Sequence, residues 1–277
     1  MSDVVRLEYI RDGGVPGGYW LFVDGDKRPY VTSTREFDAV ELRETDVVVD
    51  LGAYCGAFSL RAARFPVARV FAYEPAAAAY DVLLRYQRLR NLRLLPAAVI
   101  GGSDSAVRFY TSRRGIGVAN STVTSRGKIA SIVPAIRYEQ AVSGATVVKI
   151  DVEGAEYDYQ MVQPGIRALI VDWHRVGRYW RERAESQVAE IERHGFHALI
   201  KPKFTSGWAC SGAWLREVRQ PDLVASELLS GCYCCGCGAE IAATGKALCA
   251  SCFAAYSERH RVGFEVGQKR DEEAREG

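Results

Sequence analysis

The chain has 277 residues, 48% hydrophobic and 25% charged, with a formal net charge of +2; this excludes a disordered, collagenous or membrane-dominated polypeptide. The length suits one large domain with a small appendage. No run of 18 apolar residues occurs, and residues 1–19 show neither a basic start nor an uninterrupted apolar stretch, so we expect a cytoplasmic protein with no membrane partner. Thiols stay reduced there, and clustered cysteines then point to metal before disulfide.

Residues 1–45 form a β-rich lead-in, with apolar-aromatic runs at 19–23 and 30–31 around Asp24-Gly25-Asp26, a hairpin signal. From Asp46 the pattern changes. The β-branched run at 47–51 suits a parallel strand buried on both faces. A helix follows at 57–64, then a strand at 69–73. A helix over 76–90 starts after Pro75, with Ala76, Ala79, Tyr80, Leu83 and Leu84 on one apolar face. Further strands are expected at 92–95, 106–110, 146–150, 168–171, 198–200 and 213–218, and a helix at 186–194. The glycine-rich stretch 115–127 is expected to be a mobile loop. Strands alternating with helices predict a parallel sheet covered on both sides, with ligands at the C-terminal strand ends. This α/β domain spans 46–220. A linker at 221–231 leads to a cysteine-rich module at 232–260, and 261–277 is a charged tail without a packed core.

Charge is concentrated in one window. Residues 84–137 hold ten basic side chains, Arg113 and Arg114 among them, against the single acid Asp104. Such a region steers an anionic acceptor, nucleic acid included; taken singly, each arginine is a solvated surface residue.

The segment Asp50-Leu51-Gly52-Ala53-Tyr54-Cys55-Gly56 lies between a strand and a helix. Gly52 permits a sharp turn and leaves room for a ligand, and Gly56 permits close approach of the helix. The next strand ends in Tyr73-Glu74-Pro75, 24 positions after Asp50, and an acid there can accept both hydroxyls of a ribose. Positions 52, 54 and 57 are Gly, Tyr and Ala, so the glycine pattern that holds a dinucleotide pyrophosphate is absent. Asp50 is placed to meet a cationic amino group. The ligand implied has an amino acid at one end and a ribose at the other.

Residues 50–60 (Asp-Leu-Gly-Ala-Tyr-Cys-Gly-Ala-Phe-Ser-Leu), 72–75 (Ala-Tyr-Glu-Pro), 96–99 (Pro-Ala-Ala-Val) and 148–156 (Val-Lys-Ile-Asp-Val-Glu-Gly-Ala-Glu) together resemble the FkbM family of methyltransferases. The resemblance covers residues 46–218. It implies the class I, Rossmann-like fold with a mostly parallel seven-stranded sheet, S-adenosylmethionine as cofactor, and methylation of a hydroxyl oxygen on a sugar, small molecule or anionic acceptor. It also implies that Asp50, Gly52, Ala53 and Gly56 shape the methionine end of the site, that Glu74 beside Pro75 holds the ribose, and that Ala97 and Ala98 flank the adenine. Tyr54 departs from the family, which tends to have asparagine there.

Methyl transfer from a sulfonium is an in-line displacement, so the enzyme mainly positions and desolvates. A hydroxyl acceptor must also lose a proton. Asp151 and Glu153 follow the strand at 146–150, where a base or a cation-orienting acid belongs. Lys149 holds an anionic substrate or pairs with Glu153, and His174 ends the next strand, poised to exchange protons near neutrality. The alternative is a salt-bridged strand end that only shapes the site. Lys149, Asp151, Glu153 and His174 also include a conceivable ligand set for a divalent metal. Amino-group methyltransferases typically have Asn/Asp-Pro-Pro-Tyr/Phe where this chain has Asp151-Val-Glu-Gly, which favours oxygen over nitrogen.

Six of the eight cysteines lie between 232 and 252. Cys234-x2-Cys237 and Cys249-x2-Cys252 have the spacing of a tetrahedral zinc site and resemble a zinc ribbon; Cys232 and Cys235 form an overlapping alternative pair. Residues 228–277 carry six basic and seven acidic residues, unlike a phosphate reader. The module is expected to dock a protein partner, mediate self-association or brace the core. A non-catalytic nucleoside-binding adaptor working through this module is the competing function. Cys55 and Cys210 are expected to be core thiols.

Overall fold

A computed structural model describes residues 6–10, 19–23, 29–31, 35–84, 89–112, 121–123, 128–204 and 209–217. The module bearing Cys234, Cys237, Cys249 and Cys252, the linker before it, the charged tail and most of the 115–127 loop lie outside the described residues. Three strands, β1 (Arg6–Ile10), β2 (Tyr19–Val23) and β3 (Pro29–Val31), form an antiparallel sheet in that order. Strands β2 and β3 pair antiparallel with Val23 opposite Pro29, and the expected turn at Asp24-Gly25-Asp26 lies outside the described residues. Helix α1 (Arg35–Ala39) follows these strands within residues 1–45.

The main sheet is built from β4 (Val47–Leu51), β5 (Arg69–Tyr73), β6 (Leu92–Leu95), β10 (Val147–Ile150), β11 (Ala168–His174), β12 (His197–Ile200) and β13 (Ala209–Leu215). Between them come α2 (Ala57–Arg64), α3 (Ala77–Leu84), α4 (Tyr138–Ala141) and α5 (Trp180–Arg193). The order is β12-β13-β11-β10-β4-β5-β6. All strands run parallel except β13, which is antiparallel to both of its neighbours. This is the mostly parallel seven-stranded α/β sheet the sequence led us to expect. A smaller sheet, β7 (Ala98–Ile100), β9 (Lys128–Arg137) and β8 (Ala106–Ser112), has β9 in the middle.

Alternate residues of a strand point to opposite faces, and the core follows that rule. Val48, Val147, Ala168 and Ile170 join Phe58, Leu60, Ala79 and Leu83 of α2 and α3 in one cluster. Val49, Leu51, Val148, Ile150, Leu169, Val171 and Trp173 join Tyr138, Trp180, Ala184 and Ile191 in the other. Helices therefore cover both faces. Cys55 and Cys210 are buried in the core, as expected. No helix among the described residues is long and apolar enough to cross a membrane.

The chain runs from β4 outward through β5 and β6, then returns to lay β10 on β4's other side. A crevice opens at such a reversal, outside the carboxyl ends of the strands. That places it at Leu51 and Ile150, in register across β4 and β10.

Candidate functional site

The loop after β4 is shaped by backbone conformations that few residues tolerate. Gly52 has φ +76°, and a Cβ there would sit 1.8 Å from the Asp151 carbonyl oxygen. The space that glycine frees is thus filled by the chain leaving β10, in place of the ligand we expected there. Gly56 (φ +92°) caps α2, where a Cβ would press on Leu83 of α3 at 2.4 Å; the close helix approach is as expected. Tyr54 also has a positive φ of 50°, and it presents its N–H inward.

That N–H has a partner across the loop. Glu74, 5% exposed at the tip of β5, accepts from Tyr54 N at Oε2 and from Ala76 N at Oε1, both at 2.7 Å. Burial drives its pKa up to about 7, against those two N–H groups and the charge of Lys149. Each oxygen keeps a second lone-pair direction, so the carboxylate is fixed without being saturated. Pro75 beside it is half-buried, and Ala53, Ala97 and Ala98 are buried.

Asp50 behaves differently from expectation. It is fully buried within β4; Ser59 Oγ donates to its Oδ2 at 2.5 Å and Lys149 Nζ stands 3.2 Å from its Oδ1. The cation it meets is the protein's own. Lys149 lies opposite Asp50 in the β10–β4 register, donates to Gly52 O at 2.8 Å and reaches Asp151 Oδ2 at 3.3 Å. Burial works against its charge, but Asp151, Asp50 and Asp172 outweigh it and raise its pKa. Lys149 therefore pairs with Asp50 and Asp151, and no Lys149–Glu153 pair forms.

At the ends of β10 and β11 the predicted catalytic residues come together. His174 Nε2 stands 3.4 Å from Glu153 Oε1 and 3.5 Å from Asp151 Oδ1. Strand β11 extends through His174, beyond the expected end at 171, and buries the ring to 4% exposure. Burial opposes an imidazolium there; the carboxylates of Glu153, Glu156 and Asp151 overcome it and hold the pKa well above the ordinary value. Glu153 occupies left-handed backbone (φ 56°), a costly conformation for a side chain with a Cβ. Ser121 Oγ secures it by donating to Glu153 O at 2.6 Å.

Two participants were not assigned roles from the sequence. Glu156 is fully buried; it accepts from Gly154 N and His174 N, both at 2.7 Å, and its Oε1 is 3.4 Å from His174 Nδ1. Asp172 shares the face of Asp50 and Lys149, with its pKa raised by burial and by Asp151. Glu156 closes the 148–156 motif, which gave it no role, and the signal for Asp172 was a carboxylate inside an apolar segment. The segment after Glu156 is clamped by tyrosines: Tyr157 OH donates to His174 O (2.6 Å) and Tyr159 OH to Val99 O (2.7 Å).

Around the crevice the carboxylates of Asp50, Glu74, Asp151, Glu153, Glu156 and Asp172 outnumber the cations Lys149 and His174. The site suits a positively charged ligand. Of the basic window, Arg93 lies on β6, Arg108 on β8, and Arg137 pairs with Glu139 at 3.4 Å; Arg113 and Arg114 lie outside the described residues.

No family model matches the sequence, and no curated protein matches it. Among solved structures the chain is similar to the precorrin-6y C5,15-methyltransferase of Geobacter metallireducens, with 11% identity over 66% of this chain and 86% of that one (TM-score 0.38). It is similar to the FkbM methyltransferase of Methylobacillus flagellatus, with 12% identity over 63% of this chain and 44% of that one (TM-score 0.41). It is also similar to M. jannaschii TYW2 in complex with AdoMet, with 15% identity over 78% and 90% of the two chains (TM-score 0.38).

Proposed function

We propose that this chain is an S-adenosylmethionine-dependent methyltransferase acting on a hydroxyl oxygen. The observation that carries the reading is Glu74: a buried carboxylate at the tip of the strand beside β4, pinned by two backbone N–H groups with acceptor capacity left over. That arrangement fits the paired hydroxyls of a ribose. The excess of carboxylates around the crevice fits a ligand with cationic centres, and the loop motif 50–56 and the 148–156 motif support the same identity. Ala97 and Ala98, buried just beyond β6, line the adenine end in this reading.

When bound, the cofactor supplies a methyl group on a sulfonium. The protein's residues do the rest. Glu74 holds the ribose; Gly52 and Ala53 carry the loop along the methionine end, with Asp50 and Lys149 neutralising each other beneath it. Asp151 and Glu153, at 33% and 17% side-chain exposure, face the opening where an acceptor hydroxyl would enter. They orient that hydroxyl and receive its proton as its oxygen bonds to the methyl carbon, while the carbon–sulfur bonding pair stays on sulfur. His174 steadies both carboxylates from behind.

Calorimetry with adenosylmethionine or adenosylhomocysteine tests the reading. Both should bind, and Glu74→Ala should weaken binding more than tenfold. Tight binding of NAD with no response to either sulfur nucleoside would sink it.

A further inference from the structure

The spacing within the Asp151, Glu153 and His174 cluster is unusual for hydrogen bonding. Nε2 is 3.4 Å from one carboxylate oxygen and 3.5 Å from the other, whereas N–H···O bonds run at about 2.7–3.2 Å. Two ligands each about 2.1 Å from a tetrahedral ion stand about 3.4 Å apart. One ligand atom from each of the three residues falls within 4.8 Å of the others.

The second observation is the imidazole itself. Its side chain is 5% exposed; Nδ1 faces Glu156 Oε1 at 3.4 Å on the protein side, and Nε2 is directed between two carboxylates. Each group is also held from behind. Glu156 lies 3.4 Å from Nδ1; Lys149 takes Asp151 Oδ2 and leaves Oδ1 to the cluster; Ser121 fixes the Glu153 carbonyl. Outer partners that orient ligands in this way are characteristic of metal sites. Exposure rises from His174 (5%) through Glu153 (17%) to Asp151 (33%), so the cluster is closed on the protein side and open toward the crevice.

We propose that Asp151, Glu153 and His174 form a site for one divalent transition ion, which displaces the Nε2 proton of His174 to solvent and has its open positions facing the acceptor. A nitrogen ligand beside two carboxylates suits Mn2+, Fe2+, Co2+ or Zn2+ better than Mg2+ or Ca2+. Resting on the methyltransferase reading above, the role of the ion is to bind the acceptor oxygen and ease loss of its proton. With the ion bound, Asp151 and Glu153 act as its ligands, so the proton passes to water beside Asp151 and not to either carboxylate; the oxygen lone pair goes to the methyl carbon as the carbon–sulfur bonding pair goes to sulfur.

Mn2+ is the probe, because a hard ion avoids the soft thiolates of the C-terminal cysteines. The chelator-treated full-length protein is titrated with Mn2+, following the free-ion electron paramagnetic resonance signal, and adenosylhomocysteine binding is measured in parallel by calorimetry. One Mn2+ should bind per chain. Glu153→Gln and His174→Ala should each weaken it at least tenfold, with adenosylhomocysteine still bound by Glu153→Gln. No Mn2+ uptake at millimolar concentration, or uptake unchanged in Glu153→Gln, overturns the proposal; the Glu153 variant decides if His174→Ala does not fold. Nucleoside binding without Mn2+ binding would remove the metal and leave the methyltransferase reading standing. Mn2+ binding without nucleoside binding would do the reverse.

Discussion

Glu74 carries its proton up to near neutrality because burial outweighs the two N–H groups that favour its charge. A folded-state pKa raised from 4.5 to about 7 means that this group's contribution to stability is complete below about pH 4.5. It is lost as pH rises through 7, and amounts to about 3 kcal/mol. A ribose donating two hydroxyls prefers the carboxylate. Adenosylhomocysteine affinity should therefore rise about tenfold between pH 6 and pH 8, in proportion to the ionised fraction. In Glu74→Gln the profile should be flat and the affinity at pH 8 lower. Calorimetry across this range checks it, and a flat wild-type profile would remove Glu74 from the ribose.

At the scale of strands, the sheet is tied at its opposite end by a second buried charge network. Arg167, just before β11, donates through Nε to Asp46 Oδ1 at 2.8 Å and also pairs with Oδ2; Thr146 Oγ1 adds a bond to Oδ1 at 2.7 Å. These residues precede β11, β4 and β10, three adjacent strands. Arg167→Met should cost about 3–5 kcal/mol in denaturant unfolding, because Asp46 would be left charged and buried. A loss below about 1 kcal/mol would show that water replaces the guanidinium. Strands β4, β5 and β6 were legible in the sequence because their apolar runs are continuous and bounded. Strand β9 was not: Pro134 interrupts it, and proline in a central strand argues against the assignment. The first turns of α5 were missed because Arg181, Glu182 and Arg183 are exposed and only Trp180 and Ala184 pack inward. In the site, Glu74, Asp151, Glu153 and His174 could be found as polar residues at the tips of apolar runs. The Asp50–Lys149 pair could not, since it depends on which strand lies beside β4, and the sequence does not contain that register.

For the whole molecule, the cysteine module is expected to be structurally separate from the chemistry. Four thiolates from Cys234, Cys237, Cys249 and Cys252 would fill a tetrahedral zinc shell and leave no open position. Elemental analysis of the Glu153→Gln variant, which lacks the second site proposed above, should find about one zinc per chain. Cys249→Ser with Cys252→Ser should release it, and a chain ending near Pro221 should keep its affinity for adenosylhomocysteine. Loss of that affinity on truncation would show that the module braces the core. Zinc retained by the double variant in the Glu153→Gln background would identify Cys232 and Cys235 as ligands.

The contact at Gly52 gives the site a built-in order of events. The loop after β4, which holds the nucleoside in the proposed reading, and the segment that bears Asp151 meet backbone to backbone, and Lys149 links the same two pieces through Gly52 O and Asp151 Oδ2. With no side chain between them to absorb a shift, settling the first settles the second. Occupancy by the nucleoside should then precede productive capture of the acceptor, a compulsory sequence visible in initial-rate patterns. Gly52→Ala, which forces the two backbones apart, should raise the acceptor's KM as well as weaken nucleoside affinity, because residue 52 abuts the segment that bears Asp151.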